Sequence, residues 1–218
     1  MSEDTYTRND SIFSIAVINT EDNADYIPPK GVKGEYDRIN EVQSKEQSLV
    51  LKFDSLQVGN KAAAQKNLIS LTGDRAKSFL IYDKMKMYVY GKSSDWIQAD
   101  NSDVDVFLRF GLGDDYYEIT QPVFEGWDEQ LNRNKIELDL NWLTKLKVQD
   151  SENVNKVRDT DTLVVRDNIR TYIFTDEFGD STRKKITIKG QPSLSRIQFF
   201  KTGILNDHPG QAISGRSE

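Results

Sequence analysis

Short segments in which apolar and polar residues alternate run through most of the sequence. In "YDKMKMYVYGK", Met85 and Met87 alternate with Lys84 and Lys86, and "VDVFLRFGLGDDYYEITQPV" alternates on both sides of a glycine-rich break. A period of two places successive side chains on opposite faces of a β-strand, which is typical of a strand with one buried face. The alternation predicts buried side chains at Leu49, Leu51, Met85, Met87, Leu108, Phe110, Ile136 and Leu138. It predicts exposed side chains at Lys84, Lys86, Glu137 and Asp139.

Strand patterns dominate, so the sequence predicts a mainly all-β fold. We expect an antiparallel β-sandwich of the jelly-roll or galactose-binding-like kind, with one or two short helices in the connections. The apolar run "IFSIAVI", residues 12–18, is consistent with a buried strand. The alanine run in 60–68, with Asn60 as its cap, predicts a short helix. One or two further helical turns are predicted in "DLNWLTKLKVQD", with Trp142, Leu143 and Leu146 packing inward.

Polar stretches divide the chain, whose length fits one sizeable domain. Residues 1–33 hold a strand and an acidic, proline-containing loop, 34–148 form the sandwich body, and 149–161 are a polar loop. Strands in 162–205 are expected to complete the sandwich. Residues 206–218 contain few apolar side chains and are expected to be a flexible tail.

Two adjacent carboxylates occupy one break in the alternation, in "FGLGDDYYE". Asp114 and Asp115 are candidate active-site acids. A hairpin turn requires the same residue types, because glycine tolerates positive φ and aspartate bonds its own backbone. The turn interpretation explains every residue of the break, so we expect a hairpin whose two aspartates are solvated at the tip.

A second acidic group, "DNSDVD", loosely resembles a calcium-binding loop. Asp100, Asp103 and Asp105 are the candidate metal ligands, but the stretch lacks the glycine and the distal bidentate Glu of an EF-hand. A solvated loop is favoured over a calcium site. His208, the one histidine in the chain, lies beside a proline near the chain end. A flexible segment is favoured there over a catalytic base with an ordered partner.

The composition removes several classes of chemistry. With no Cys and a single His, the chain excludes Cys-His triads, thiolate zinc sites and multi-histidine metal sites. A Ser-His-Asp triad would need His208, and no Gly-x-Ser-x-Gly elbow is present. The formal net charge of -6 and the pI near 5.0 give no basic footprint for nucleic acid. No apolar run reaches the roughly 20 residues of a membrane-spanning helix. Apart from calcium, the sequence implies no cofactor, and the segment itself is not expected to span a membrane.

Aromatic residues in or near loop-like segments are the remaining binding candidates. Trp96, Trp127 and Tyr116 offer a platform for a sugar or for a protein surface. Packing inside the protein explains each of them equally well. A two-carboxylate glycosidase is a weaker alternative, because any acidic protein of this size has enough carboxylates.

Five segments carry a more specific signal than these motifs. In order they are "PPKGVKGEYDRINEVQSKEQSLVLKF", "YDKMKMYVYG", "VDVFLRFGLGDDYYEITQPV", "NKIELDLNWLTKLK" and "IKGQPSLSRIQFFKTGILN". In this order they resemble an internal region of the SprA/Sov family, the very large outer-membrane β-barrel translocons of the type IX secretion system in Bacteroidetes. The resemblance runs from about Pro28 to Gly215, and "EQSLVLKF" and "KGQPSLSRIQ" are among its most specific pieces.

The resemblance implies a soluble, non-catalytic domain of a translocon, acting in channel capping or gating or in docking partner and substrate proteins. Its partners would be the rest of the translocon barrel, accessory translocon proteins and secreted proteins in transit. The long series of amphipathic strands that builds a barrel wall does not occur in this sequence. An extracellular cap is favoured over the periplasmic side, because the long loops of such barrels face outward.

Two further expectations accompany this resemblance. Family members continue after the last segment with a strand of the Trp-x-Asn-Glu-Leu-Arg kind, so we expect the chain to be part of a longer polypeptide. The alternative function is a jelly-roll carbohydrate-binding module that uses Trp96 and Trp127.

Overall fold

The computed structural model describes residues 11–68, 76–206 and 210–217. In chain order the strands are β1 (Phe13–Asn19), β2 (Tyr36–Asp37), β3 (Val42–Gln43), β4 (Gln47–Leu56), β5 (Lys61–Asn67), β6 (Lys84–Tyr88), β7 (Asp105–Leu112), β8 (Asp115–Pro122), β9 (Lys135–Asp139), β10 (Thr162–Arg166), β11 (Ile169–Thr175), β12 (Ser181–Lys189), β13 (Phe199–Leu205) and β14 (Ile213–Ser217). The helix α1 (Leu140–Leu146) lies between β9 and β10. The prediction of a mainly β chain with a short helix is confirmed.

The hairpin of β7 and β8 lies within a seven-stranded antiparallel sheet with the order β10-β11-β12-β8-β7-β13-β5. Alternation decides which side of this sheet is apolar. Val106, Leu108 and Phe110 of β7 are buried in the core, whereas Arg109 pairs with Glu118 of β8 on the opposite face. The sheet therefore has one apolar face and one face that carries charge.

A three-stranded antiparallel sheet has β4 at its centre, with β1 on one side and β14 on the other. The expectation of a flexible tail over 206–218 is wrong for Ile213–Ser217, because these residues form β14 and pair with β4. Ile213 is fully buried. One apolar side chain was enough to fix a segment that is otherwise polar, since the edge of β4 supplies the backbone partners.

A two-stranded sheet pairs β6 with β9, and α1 follows β9 directly. Asp139 caps α1, because its carboxylate accepts a 2.8 Å hydrogen bond from the Trp142 amide. Leu143 and Leu146 are buried as predicted, and Trp142 is half-buried. The helix thus closes over the core with the side chains that its sequence predicts.

The predicted burial pattern holds for most of the strands. Ile136 and Leu138 of β9 are buried, Lys84 and Lys86 of β6 are exposed, and Met85 is half-buried. The remaining predictions are confirmed for Leu51, Leu108, Phe110 and Asp139, while Met87 and Glu137 are half-buried. The prediction that Leu49 is buried is wrong, since this side chain is 38% exposed. It lies on the face of β4 that is apolar, but at the end of that strand which extends beyond the core.

Two other expectations fail for reasons of tertiary context. The alanine-rich segment at 60–68 is not a helix, because Lys61–Asn67 forms β5 and pairs along its whole length with β13. Helix propensity is a weak preference, and here a complete ladder of backbone hydrogen bonds overrides it. The run "IFSIAVI" is a strand, but its centre is exposed, because β1 lies at the edge of its sheet.

One connected core links the three-stranded sheet, the seven-stranded sheet, the β6–β9 pair and the helix. Its buried members come from β4, from both strands of the central hairpin, from β9, from α1 and from β14. Tyr117 lies in this core, where it donates to the Pro192 carbonyl and where burial raises its pKa to about 12. Antiparallel sheets around a shared core are consistent with a β-sandwich. Within the described residues, no helix is long and apolar enough to cross a bilayer.

Candidate functional site

The predicted carboxylate pair lies at the β7–β8 hairpin, which confirms the predicted turn, but the expectation that both aspartates are solvated at its tip is wrong for Asp115. β7 ends at Leu112 and β8 begins at Asp115, so Gly113 and Asp114 form a two-residue turn in which Gly113 has a φ of 57°. Asp114 is exposed at the tip, whereas Asp115 is half-buried and belongs to the strand. The Asp115 carboxylate lies against the backbone of Gly190, which leaves room for it only because glycine has no Cβ.

The proposed calcium loop is held by arginines. The Arg183 guanidinium donates to Asp105 Oδ1 and to the Ser102 carbonyl, and Arg133 donates to the Ala99 carbonyl at 2.7 Å. Oxygens of this kind are the ligands that a calcium ion requires. Across residues 11–68, 76–206 and 210–217, no three acidic or histidine side chains form a group that could hold a metal ion. Calcium binding by Asp100, Asp103 and Asp105 stays an untested alternative to the favoured solvated loop, and His208 lies outside the described residues.

The two candidate tryptophans make contacts inside the domain. Trp127 is half-buried, donates from Nε1 to the Ile27 carbonyl at 2.9 Å and packs edge-to-face on Tyr90, with ring centroids 5.1 Å apart. Trp96 is also half-buried and packs against the core. Trp127 therefore fixes the loop that follows β1 onto the body of the domain, and a role of either indole in binding stays a prediction.

Tyr116, the third aromatic candidate, lies on the charged face of the seven-stranded sheet. The Arg109 guanidinium carbon stacks 4.0 Å from the centre of its ring, and Lys189 Nζ lies 5.7 Å from the same centre. Arg109 and Glu118 form a buried ion pair at 2.6 Å. Tyr116 thus belongs to a layer of cations and rings that runs across the sheet.

An exposed apolar turn precedes β6, and no pattern in the sequence predicted it. Leu80 is 66% exposed, Ile81 83% and Tyr82 54%. The tight turn closes through a 3.1 Å hydrogen bond from the Tyr82 amide to the Phe79 carbonyl. Three consecutive exposed apolar side chains form a larger surface than the scattered exposed residues of ordinary proteins.

Both ends of this turn are anchored. The Phe79 amide donates to the Leu194 carbonyl at 2.7 Å, and the Phe79 ring packs edge-to-face on Phe200, with centroids 5.5 Å apart. Phe200 in turn stacks on Phe110 of the core at 5.6 Å. After the turn, the Asp83 carbonyl accepts from the Leu140 amide of α1 at 2.9 Å. The structure therefore holds the apolar tip, Leu80 to Tyr82, in one orientation.

A group of lysines lies beside the turn along the chain, on the exposed face of β6 and β9. Glu137 is surrounded by Lys135 Nζ at 2.6 Å, Lys84 Nζ at 3.1 Å and Lys86 Nζ at 3.9 Å. Hydrogen bonds from Lys135 and Lys84 lower the pKa of Glu137 to about 2. Three cations around one anion give this face a local charge opposite to that of the acidic chain.

The chain matches the family model SprA_N, described as a motility related/secretion protein, over residues 2–217. The chain belongs to this family. The match covers almost the whole sequence, and the resemblance to SprA and Sov is confirmed. A search of curated proteins and a search of solved structures each returned no match.

Membership of the SprA family gives the domain a connection to secretion or motility and to a larger secretion machinery. The family is described by transport and movement and not by a catalysed reaction. The turn at Leu80–Tyr82 was missed because "FLIYD" does not alternate, and a run of four apolar residues reads equally well as buried chain.

Proposed function

We propose that this domain is a non-catalytic docking module of the outer-membrane translocon of the type IX secretion system. It contacts the rest of the translocon, an accessory translocon protein or a secreted protein in transit. The family match supports a place in secretion. Capping or gating of the channel follows from such a contact, and we place the domain on the extracellular side because long barrel loops face outward.

The observation that carries this proposal is the exposed turn of Leu80, Ile81 and Tyr82. Interfaces gain most of their binding energy from a few large apolar or aromatic side chains that become buried at the centre. An anchored turn loses less conformational entropy on binding than a mobile loop, because its shape is already set. The Phe79–Phe200–Phe110 ring contacts supply that anchoring.

The test is a charged substitution at the tip in the full-length translocon. With Leu80→Asp and Ile81→Asp together, we expect secretion of a substrate protein into the medium to fall at least about tenfold, as for the loss of a central contact. The amount of assembled translocon in the outer membrane should stay unchanged. In the isolated domain, the same substitutions should change the free energy of unfolding by less than about 1 kcal/mol, because both side chains are exposed.

Phe178→Asp is the matched control. Phe178 is 85% exposed, but its apolar surface stands alone in the turn between β11 and β12. We expect normal secretion from this variant. Normal secretion from the Leu80→Asp, Ile81→Asp translocon, with the domain folded and present, would contradict the proposed docking role.

A further inference from the structure

The backbone of β1 has a hydrogen-bonding edge that faces away from its sheet. Just before the strand, the Asp54 amide donates to the Ile12 carbonyl at 2.8 Å, and just after it the Thr20 amide donates to the Glu46 carbonyl at 3.1 Å. Both are contacts with β4 from even-numbered residues of the β1 segment. Because bonding alternates along an antiparallel pair, the even-numbered residues of β1 bond to β4 and the odd-numbered residues point outward. The outward-pointing residues are Phe13, Ile15, Val17 and Asn19.

The last of these residues is already satisfied. The Asn19 amide donates to Asn23 Oδ1 at 3.0 Å, and the Asn19 carbonyl accepts from the Asn23 amide at 3.2 Å. This confirms the direction of the odd-numbered residues. Within the described part of the chain, β1 has β4 as its one neighbouring strand. Phe13, Ile15 and Val17 therefore present a free edge of three residues.

The same residues present apolar side chains. Ile15 is 50% exposed and Val17 59% exposed, and they lie opposite Leu51 and Leu49 in the register of β1 with β4. Leu51 is buried and Leu49 is 38% exposed, so the apolar face of this sheet continues past the core. Among the residues that the structure describes, the outward backbone groups of this short edge thus have no strand partner, and its exposed apolar side chains have no apolar cover.

Natural proteins protect exposed strand edges with charges, prolines or bulges. The chain protects the outer edge of β6 with charge. β6 pairs with β9, and just beyond the strand ends the Leu140 amide donates to the Asp83 carbonyl, so odd-numbered residues of β6 bond to β9. By the same alternation, the outward-pointing residues of β6 include Lys84 and Lys86. β1 has no charged residue, no proline and no shift in its register with β4. The outer edge of β6 is therefore protected by charge, whereas the outer edge of β1 carries none of these protective features.

The turn after β1 is acidic. Glu21 and Asp22 are exposed and share one cation, with Lys45 Nζ 3.7 Å from Glu21 and 3.5 Å from Asp22. Since the turn bonds to the outward side of Asn19, it lies at the end of the free edge. A strand added antiparallel to β1 begins beside these carboxylates, and a cation at its N-terminus would meet them.

We propose that the outer edge of β1 receives an extended segment of a partner protein by strand addition. The segment runs antiparallel to β1, carries β-branched residues at alternate positions and has Lys or Arg at its N-terminal end. The proposed occupant is a segment of another protein whose N-terminal cation meets the acidic turn, and a second copy of the chain is an outcome that the test distinguishes. This contact is separate from the turn at Leu80–Tyr82 and does not depend on it.

Amide hydrogen exchange tests the proposal, with a synthetic peptide of sequence Lys-Lys-Thr-Val-Thr-Val-Thr as the probe. In the free domain we expect the amides of Ser14, Ala16 and Ile18 to exchange slowly and those of Ile15 and Val17 to exchange fast, because only the first three bond to β4. Peptide at ten times its Kd should slow Ile15 and Val17 about tenfold, because only the unbound fraction exchanges. A peptide with Glu-Glu in place of Lys-Lys should bind at least about fivefold more weakly, which measures the contribution of the acidic turn.

Paired substitutions provide the control. Ile15→Lys with Val17→Lys charges the free edge, whereas Ser14→Lys with Ala16→Lys adds the same charge to exposed side chains of the other face. We expect the first pair to abolish protection by the peptide and the second to change the Kd less than about threefold. The Leu80→Asp, Ile81→Asp domain should bind the peptide like the parent, so this test and that of the docking turn can fail separately.

Three results would overturn the proposal. The first is equal binding of the peptide by both substituted pairs, and the second is protection that does not alternate along β1. The third is protection of Ile15 and Val17 that grows with protein concentration without peptide, together with a dimer in sedimentation. That result would assign the edge to a second copy of the chain.

Discussion

At the scale of single residues, the hairpin tip shows how a turn residue depends on a distant part of the chain. The Asp115 carboxylate occupies the space where a Cβ of Gly190 would be, and Gly190 has a φ of 67°. Two requirements therefore meet at Gly190, since its backbone lies in the left-handed region and its missing side chain makes room for Asp115. Neither requirement is visible in "IKGQP" alone.

We expect Gly190→Ala to lower the free energy of unfolding by about 2–4 kcal/mol, which combines left-handed strain with overlap. Gly59→Ala is the matched control, because Gly59 has a φ of 77° with no neighbouring atom within 4 Å. Gly59→Ala should lower the free energy of unfolding by only about 1 kcal/mol. Adding Asp115→Ala to Gly190→Ala should restore at least about 0.5 kcal/mol beyond additivity in urea unfolding. Equal losses for the two glycines would contradict the overlap.

The same residues show what the sequence could and could not predict about the candidate sites. Glycine and aspartate in "GLGDD" predicted the turn, because their conformational preferences are local. The partner of Asp115 is 75 positions away in the chain, and Arg183, which pairs with Asp105, is 78 positions away, so no local pattern contains either partner. The exposed fraction of Leu80 or Ile81 is likewise a property of the assembled surface and not of residue type.

At the scale of elements, a buried aspartate attaches the long connection between α1 and β10 to β11. Asp161 is fully buried and accepts from the Tyr172 hydroxyl at 2.8 Å and from the Thr175 amide at 2.9 Å. Trp142 of α1 packs edge-to-face on Tyr172, with ring centroids 5.1 Å apart. Helix, connection and strand thus meet at one network. Burial acts to raise the pKa of Asp161, but the hydrogen bonds from Thr175, Tyr172 and Arg158 outweigh it and lower the pKa.

Asp161→Asn should lower the free energy of unfolding at pH 7 by about 1–3 kcal/mol, because the amide places a donor where donors already converge. The folded pKa lies below the unfolded value of 3.8. The ionised carboxylate therefore stabilises the fold above that pH, and this contribution is lost as the pH falls through the folded pKa. The difference between parent and variant in urea unfolding should shrink below about pH 3.8. Asp159→Asn, in the exposed part of the same connection, should change stability by less than about 0.5 kcal/mol at every pH.

Among the elements, the sequence predicted the structure correctly where local pattern and tertiary context agree, and wrongly where tertiary context opposes the local pattern. β6 and β9 followed their alternation, because one face of each strand contacts the core and the other contacts water. The β5 segment has helix-forming alanines, but backbone pairing with β13 stabilises it as a strand. β1 has enough apolar residues to read as a buried strand, yet its place at the edge of the sheet leaves Ile15 and Val17 exposed.

At the scale of the whole molecule, both ends of the described chain belong to one sheet. Ile213 of β14 is fully buried in the core that the three-stranded sheet shares with the seven-stranded sheet and with β9. We expect Ile213→Ala to lower the free energy of unfolding by about 2–4 kcal/mol and to leave a single transition in urea. Ile81→Ala, at an 83% exposed position, should change it by less than about 0.5 kcal/mol. A small effect at Ile213 would show that the C-terminal strand contributes little to the fold.

The fold class was predictable because alternation in many segments leaves few architectures other than packed antiparallel sheets. The order of strands was not, since β5 and β13 pair across more than a hundred residues and no local signal links them. The family could be read from ordered segments that are spread over most of the chain. The surfaces that are open for contacts could not be predicted from the sequence, because they depend on which strands lie at the edge of a sheet.

The position of β4 between β1 and β14 also determines how the domain bears mechanical load. β1 and β14 run in the same direction, and Phe13 and Gly215 both lie beside Phe53 on opposite sides of β4. Tension between the two ends of the described chain pulls β1 one way along β4 and β14 the other way. Ladder bonds in antiparallel sheets lie perpendicular to the strands, so this pull shears whole ladders at once and does not open them bond by bond. We expect the domain to resist stretching between its ends better than stretching across β4.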